Sequence, residues 1–162
     1  MGRHFNACLL MKSCRLLPLV VALLGCGPGY NTDSGGDERR SAAQEISTDE
    51  PVDDRVSATQ GDHTDWKRFL LPTSASVTLR FWWDDPSVLA TVQLRDEHGQ
   101  LLHEAVHQGA RAEDIFGPVD LSPGGYYLQI EATSGASVYT LRLDTGPGRG
   151  SPGCPGLCEE RF

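Results

Sequence analysis

The sequence predicts an all-β fold, a jelly-roll-like β-sandwich of seven or eight strands, on three observations. Residues 121–130 (LSPGGYYLQI) pass from a Pro-Gly-Gly turn into a run dense in aromatic and β-branched side chains, as a tight turn entering a strand does. Residues 77–83 and 137–144 alternate apolar with polar side chains, the period-two pattern of a half-buried strand. Turn-forming residues punctuate the chain between such runs at short intervals, as in a sandwich. The strands fill residues 62–145, where no segment has the length and period of a useful helix.

Ahead of that domain, residues 16–24 (LLPLVVALL) form an apolar run too short to span a bilayer. Lys12 and Arg15 precede it and Gly25-Cys26 follow it, the layout of a secretory signal peptide over residues 1–25. Leu23-Leu24-Gly25-Cys26 resembles the bacterial lipobox, which implies that the Cys26 thiol is acylated and becomes the new N-terminus. Met11 is the more natural start for such a signal, and Cys8 and Cys14 leave with it. Acyl chains on Cys26 would hold the protein on a membrane surface, each buried methylene contributing ~0.8 kcal/mol. By the same resemblance, Gly27 in place of Asp favours the outer membrane of the cell envelope over the inner.

Residues 26–61 carry eight acidic and three basic side chains and no aromatic after Tyr30. So little apolar surface predicts a flexible acidic tether, spanning roughly 30 Å. The whole chain has 14 basic and 22 acidic residues and a net charge of -8. Such a balance repels DNA, RNA and anionic lipid, so nucleic acid is excluded as a partner.

Within the domain, residues 66–71 (WKRFLL) form the first strand. Val77, Leu79, Phe81 and Trp83 then face one way while Thr78, Arg80 and Trp82 face the other, until Asp84-Asp85-Pro86 breaks the strand. Residues 88–95 make a third strand, and Asp96-Glu97-His98-Gly99 turns the chain into a fourth at 100–107. Residues 115–121 are a weaker strand interrupted by Gly117-Pro118. Residues 126–132 and 138–144 close the set, joined by Ser134-Gly135-Ala136. The tail, 146–162, is Gly- and Pro-rich loop chemistry. Cys154 and Cys158 are the cysteines left there, and in an oxidising compartment a local disulfide between them is expected.

The joint order of these signals resembles the bacterial pre-peptidase C-terminal domain, a jelly-roll β-sandwich. Its acidic-Asp-Trp-x-x-Phe opening is matched by Asp62, Asp65, Trp66 and Phe69, and its Leu-x-Asp-x-x-Gly turn by Leu94, Asp96 and Gly99. Leu121, Gly125, Tyr126, Tyr127, Leu128, Ile130, Tyr139, Thr140 and Leu141 match its ending. In that family such domains trail secreted peptidases or stand in envelope proteins as non-catalytic modules. The resemblance therefore implies a membrane-anchored lipoprotein whose sandwich binds an envelope protein or glycan, without turnover. Relatives in the collagen-binding branch of similar sandwiches carry calcium near the domain entrance. Asp62 and Asp65 lie in that neighbourhood and are candidate calcium ligands, the alternative being a solvated acidic loop. No other cofactor is implied.

One motif points elsewhere. Residues 103–107 read HEAVH, which on a helix would offer His103 and His107 to one Zn²⁺ with Glu104 as general base. On the strand predicted here those histidines stand about 13 Å apart, too far to share an ion bonding at about 2.0 Å. A zinc peptidase is the alternative this excludes if the strand forms. Trp82, outward by alternation, is the candidate for a binding surface, or else is covered by packing.

Overall fold

The computed structural model describes residues 36–148. The signal segment, Cys26 and the Cys154–Cys158 pair lie outside the described residues. Two sheets pack face to face. One has the order β1-β3-β8-β5-β6 and the other β2-β9-β4-β7, with β1 Gln44–Glu45, β2 Pro51–Ser57, β3 Thr64–Leu71, β4 Ala75–Trp83, β5 Leu89–Asp96, β6 Leu101–Gln108, β7 Glu113–Leu121, β8 Gly124–Ser134 and β9 Ala136–Pro147. All pairings are antiparallel except β1 with β3. The β-sandwich read from the sequence is therefore the fold, and each of the seven strands expected is present.

Alternation sets the layers. Val77, Leu79, Phe81 and Trp83 of β4 turn inward to meet Leu94, Leu128, Ile130 and Phe69 of the facing sheet in one core. Phe81 lies 5.5 Å from Trp83 and 5.7 Å from Tyr139, ring centre to ring centre, contacts worth ~0.5–1.5 kcal/mol each beyond their buried area. The interruption in β7 has a steric cause. Gly117 sits at φ +104 opposite a bulge between Val77 and Leu79, where a Cβ would stand 2.8 Å from the Val77 carbonyl oxygen. Only glycine fits there.

The expected tether is the part that the structure corrects. Composition makes residues 26–61 a flexible tether, but from residue 36 onward the chain is laid onto the sandwich. A single 3-10 turn at Arg40–Ala42 leads to β1, and β2 pairs with β9 along its full seven residues. Val56 is fully buried. Asp49 fixes the approach to β2 by accepting hydrogen bonds from the Thr145 backbone N–H (2.9 Å) and hydroxyl (2.7 Å). At the other end β9 runs through Pro147, two residues into the expected tail.

Candidate functional site

The carboxylates singled out at the start of the domain are buried, not solvated: Asp62 is 3% exposed and Asp65 0%. Alternation in β3 explains Asp65, because Asp65, Lys67, Phe69 and Leu71 share its inner face. Lys67 is thus a lysine inside the sandwich, fully buried. Its ammonium donates to Asp37 Oδ2 (2.6 Å), to Gln44 Oε1 (2.7 Å) and to Asp54 Oδ2. Three N–H donors meet three acceptors, and all three acceptors belong to the segment before residue 58.

Beside this ion pair, Tyr139 donates to Asp65 Oδ2 at 2.7 Å, while Asp65 Oδ1 is buried without a hydrogen bond. Burial pushes the Asp65 carboxyl up to about 8, a rise only partly offset by the tyrosine hydroxyl. At neutral pH Asp65 is therefore a carboxylic acid. Burial also raises Asp37, and raises the Tyr139 phenol far above its usual range. Burial pulls the Lys67 ammonium down, but its bonds to Asp37 and Asp54 outweigh that and hold it above the ordinary lysine value.

Oxygens of Asp37, Asp54 and Asp65 lie within 4.8 Å of one another, and Asp62 stands outside that group. As a calcium centre the donor set fits poorly. Calcium wants six to eight oxygens, whereas Asp37, Asp54 and Gln44 already give theirs to a resident ammonium. A second cation beside Lys67 would be repelled.

The HEAVH segment is β6, an extended edge strand. His103 is half-buried and Glu104 exposed, accepting from Gln93 Nε2 at 2.6 Å. His107 turns inward, where its ring stacks on Trp83 at 4.8 Å. Its Nδ1 lies 2.5 Å from Asp114 Oδ2 and its Nε2 3.0 Å from the Pro86 carbonyl oxygen. Asp114 also accepts from Trp83 Nε1 at 2.9 Å. Both imidazole nitrogens are thereby engaged, which leaves none for a metal. The constellation ties the corner between β6, β7 and the 84–88 loop.

Trp82 lies on the outer face of the four-stranded sheet, 36% exposed, opposite Thr140 of β9 and Glu113 of β7. Exposed Ile115 and Val138 share that face. Around them run planar charged groups: Arg80 Nε bonds Asp144 at 2.5 Å, and Arg142 Nε lies 2.8 Å from the same carboxylate. The tyrosine pair splits likewise, Tyr126 buried against Phe69 and Tyr127 outward. The sequence signalled Trp82 and the tyrosines through alternation. It gave no signal for Lys67 and its partners, because polar residues at inward positions read as outward ones.

Two sheets around one core, antiparallel but for the β1–β3 pairing, define a β-sandwich domain. Among solved structures, the pre-peptidase C-terminal domain of a collagenase from Bacillus anthracis is 21% identical, with a TM-score of 0.51, over 62% of this chain and 93% of that one. A carbohydrate-binding module from Cellvibrio mixtus lichenase 5A, crystallised with cellotriose, is 14% identical with a TM-score of 0.37, over 68% of this chain and 93% of that one. The periplasmic g-type lysozyme inhibitor PliG of Aeromonas hydrophila is 10% identical with a TM-score of 0.40, over 64% and 96%. No protein-family model matches the chain, and neither does any curated protein.

Proposed function

We propose that the protein is a membrane-anchored lipoprotein of the cell envelope, on the outer membrane, whose sandwich is a non-catalytic module binding a protein or glycan partner. The observation that carries the binding role is the outer face around Trp82. An indole held in the open between Thr140, Glu113, Ile115 and Val138 offers a rigid apolar plane rimmed by polar groups, the composition of a recognition surface. In β6, His107 has no nitrogen left to serve as base or ligand, which supports a role without turnover.

Anchoring rests on Leu23-Leu24-Gly25-Cys26 and the apolar run before it. Growth with labelled palmitate tests it: label enters the native chain and is lost in Cys26→Ser, and label retained in that variant overturns the anchor. Capture of envelope components by the purified domain tests the surface. Trp82→Ala should abolish capture at unchanged melting temperature, and capture that persists removes Trp82 from the role. Zinc-dependent proteolysis abolished by Glu104→Gln would overturn the non-catalytic reading.

A further inference from the structure

On the opposite sheet, Tyr127 stands at the centre of a second outward surface. β8 runs between β3 and β5, so Tyr127 is flanked in register by Arg68 on one side and Arg95 on the other. From the 3-10 turn, Arg40 lays its guanidinium carbon 5.6 Å from the same ring centre, a cation–π contact. Three arginines therefore neighbour one tyrosine, one over its ring and two in register beside it, in a chain of net charge -8. None of the three forms an ion pair with a carboxylate among the described residues. Arg95 donates to the Gly99 carbonyl oxygen (2.9 Å) and to Gln93 Oε1 (2.5 Å), while its Nε is buried with no acceptor.

Beside the ring opens a concavity of about 400 Å³ lined by Arg68, Leu70, Glu97, His98, Gly125 and Tyr127, within the range of small-molecule sites. Gly125 opens it: it faces Leu70 across the strands and leaves open space where a Cβ would stand, while beside the concavity Arg40 packs over Gly99, where a Cβ would fall 2.2 Å from its Nη1. The one carboxylate in the lining, Glu97, is turned to His98 at 3.5 Å.

The ligand this surface fits can be read from its chemistry. Guanidinium forks match the oxygens of carboxylates and phosphates two by two, so the ligand carries an oxyanion, here taken as a carboxylate. β8 has both its neighbours, so no free backbone is offered and a peptide cannot add as a strand. Recognition must run through side chains: the arginines, the amide of Gln129 on the same face, and Leu70, 62% exposed, for ring carbons. We infer that this surface binds an acidic saccharide, a uronate unit whose carboxylate meets Arg68 in the concavity, with Arg40 over the Tyr127 ring and Arg95 on the neighbouring strand completing the positive border. The site is separate from the Trp82 face and does not rest on it.

Calorimetric titration of the purified domain with trigalacturonate tests the inference, beside its methyl ester and tetraglutamate. Binding is expected for trigalacturonate alone, weakening as salt is raised. Arg68→Gln, exposed on the sheet, and Arg40→Gln should each lower affinity at least about tenfold with an unchanged melting temperature. Trp82→Ala should leave affinity as it is. No heat from trigalacturonate at millimolar concentration overturns the inference. So does equal binding of the ester or the peptide, full affinity in both arginine variants, or loss of binding in Trp82→Ala.

Discussion

Lys67 is the side chain on which the start of the domain depends. Removing one partner of a buried ion pair strands the other charges, at a typical cost of about 3–5 kcal/mol. Lys67→Ala would leave Asp37 and Asp54 facing each other without a counter-charge, and a loss of that order should appear in urea denaturation. With the ammonium resident on these oxygens, the melting temperature is expected to be the same with Ca²⁺ and with chelator; a clear rise with Ca²⁺ would mean that the ammonium yields them. Asp65 adds a pH dependence of definite sign. Its folded-state value, about 8, lies above the ordinary 3.8, so the folded state holds a proton that the unfolded chain releases between those values. Its contribution to stability therefore falls as pH rises from about 4 to about 8 and is level above that. Asp65→Asn keeps an oxygen for Tyr139 and removes the titration. Its melting temperature relative to the native chain should climb from pH 5 to pH 9, and a constant difference would contradict the assignment.

Among the elements, β3 to β9 were legible and β1 and β2 were not, for one physical reason. In β4 the inward positions are Val77, Leu79, Phe81 and Trp83, so the period-two pattern is written in apolar residues. In β2 (PVDDRVS) the inward charge is the half-buried Asp54, neutralised from another strand, and only Val52 and Val56 speak for the core. Pairing across the sandwich supplies what local composition lacks. The same holds for β3, whose inner face includes Asp65 and Lys67. The consequence is a boundary some 25 residues earlier than composition suggests. A chain beginning at residue 36 should fold, whereas one beginning at residue 58 lacks β2 and leaves Lys67 without Asp37, Gln44 and Asp54. Far-UV spectra and a cooperative melt for the longer form alone would bear this out. For the candidate sites, Trp82 was legible through alternation. The three arginines around Tyr127 were not, since they come from three separated segments that only register brings together.

At the scale of the molecule, the two sheets share one core with Phe81, Trp83 and Tyr139 at its centre, so the described residues should unfold as a single unit. Near-UV and far-UV signals are expected to lose structure at one midpoint, and Phe81→Ala should lower stability by about 3–5 kcal/mol. The sheet edges are not alike. β1 has two residues, β2 carries Pro51 and two aspartates, and β7 carries Gly117-Pro118. β6 is eight residues long with neither Gly nor Pro, and exposes Leu101, Leu102 and Val106. Unguarded edges of that kind are where other strands add.

If Cys26 is acylated as proposed, the docking of Asp37 onto Lys67 would also limit how far the domain could stand from a lipid surface. With the acyl chains on Cys26, ten residues separate the anchor from the first docked side chain, a reach of at most ~35 Å even when drawn straight. The β1 border would look down at the headgroups, and β6, at the far border of the same sheet, would look away into the surrounding space.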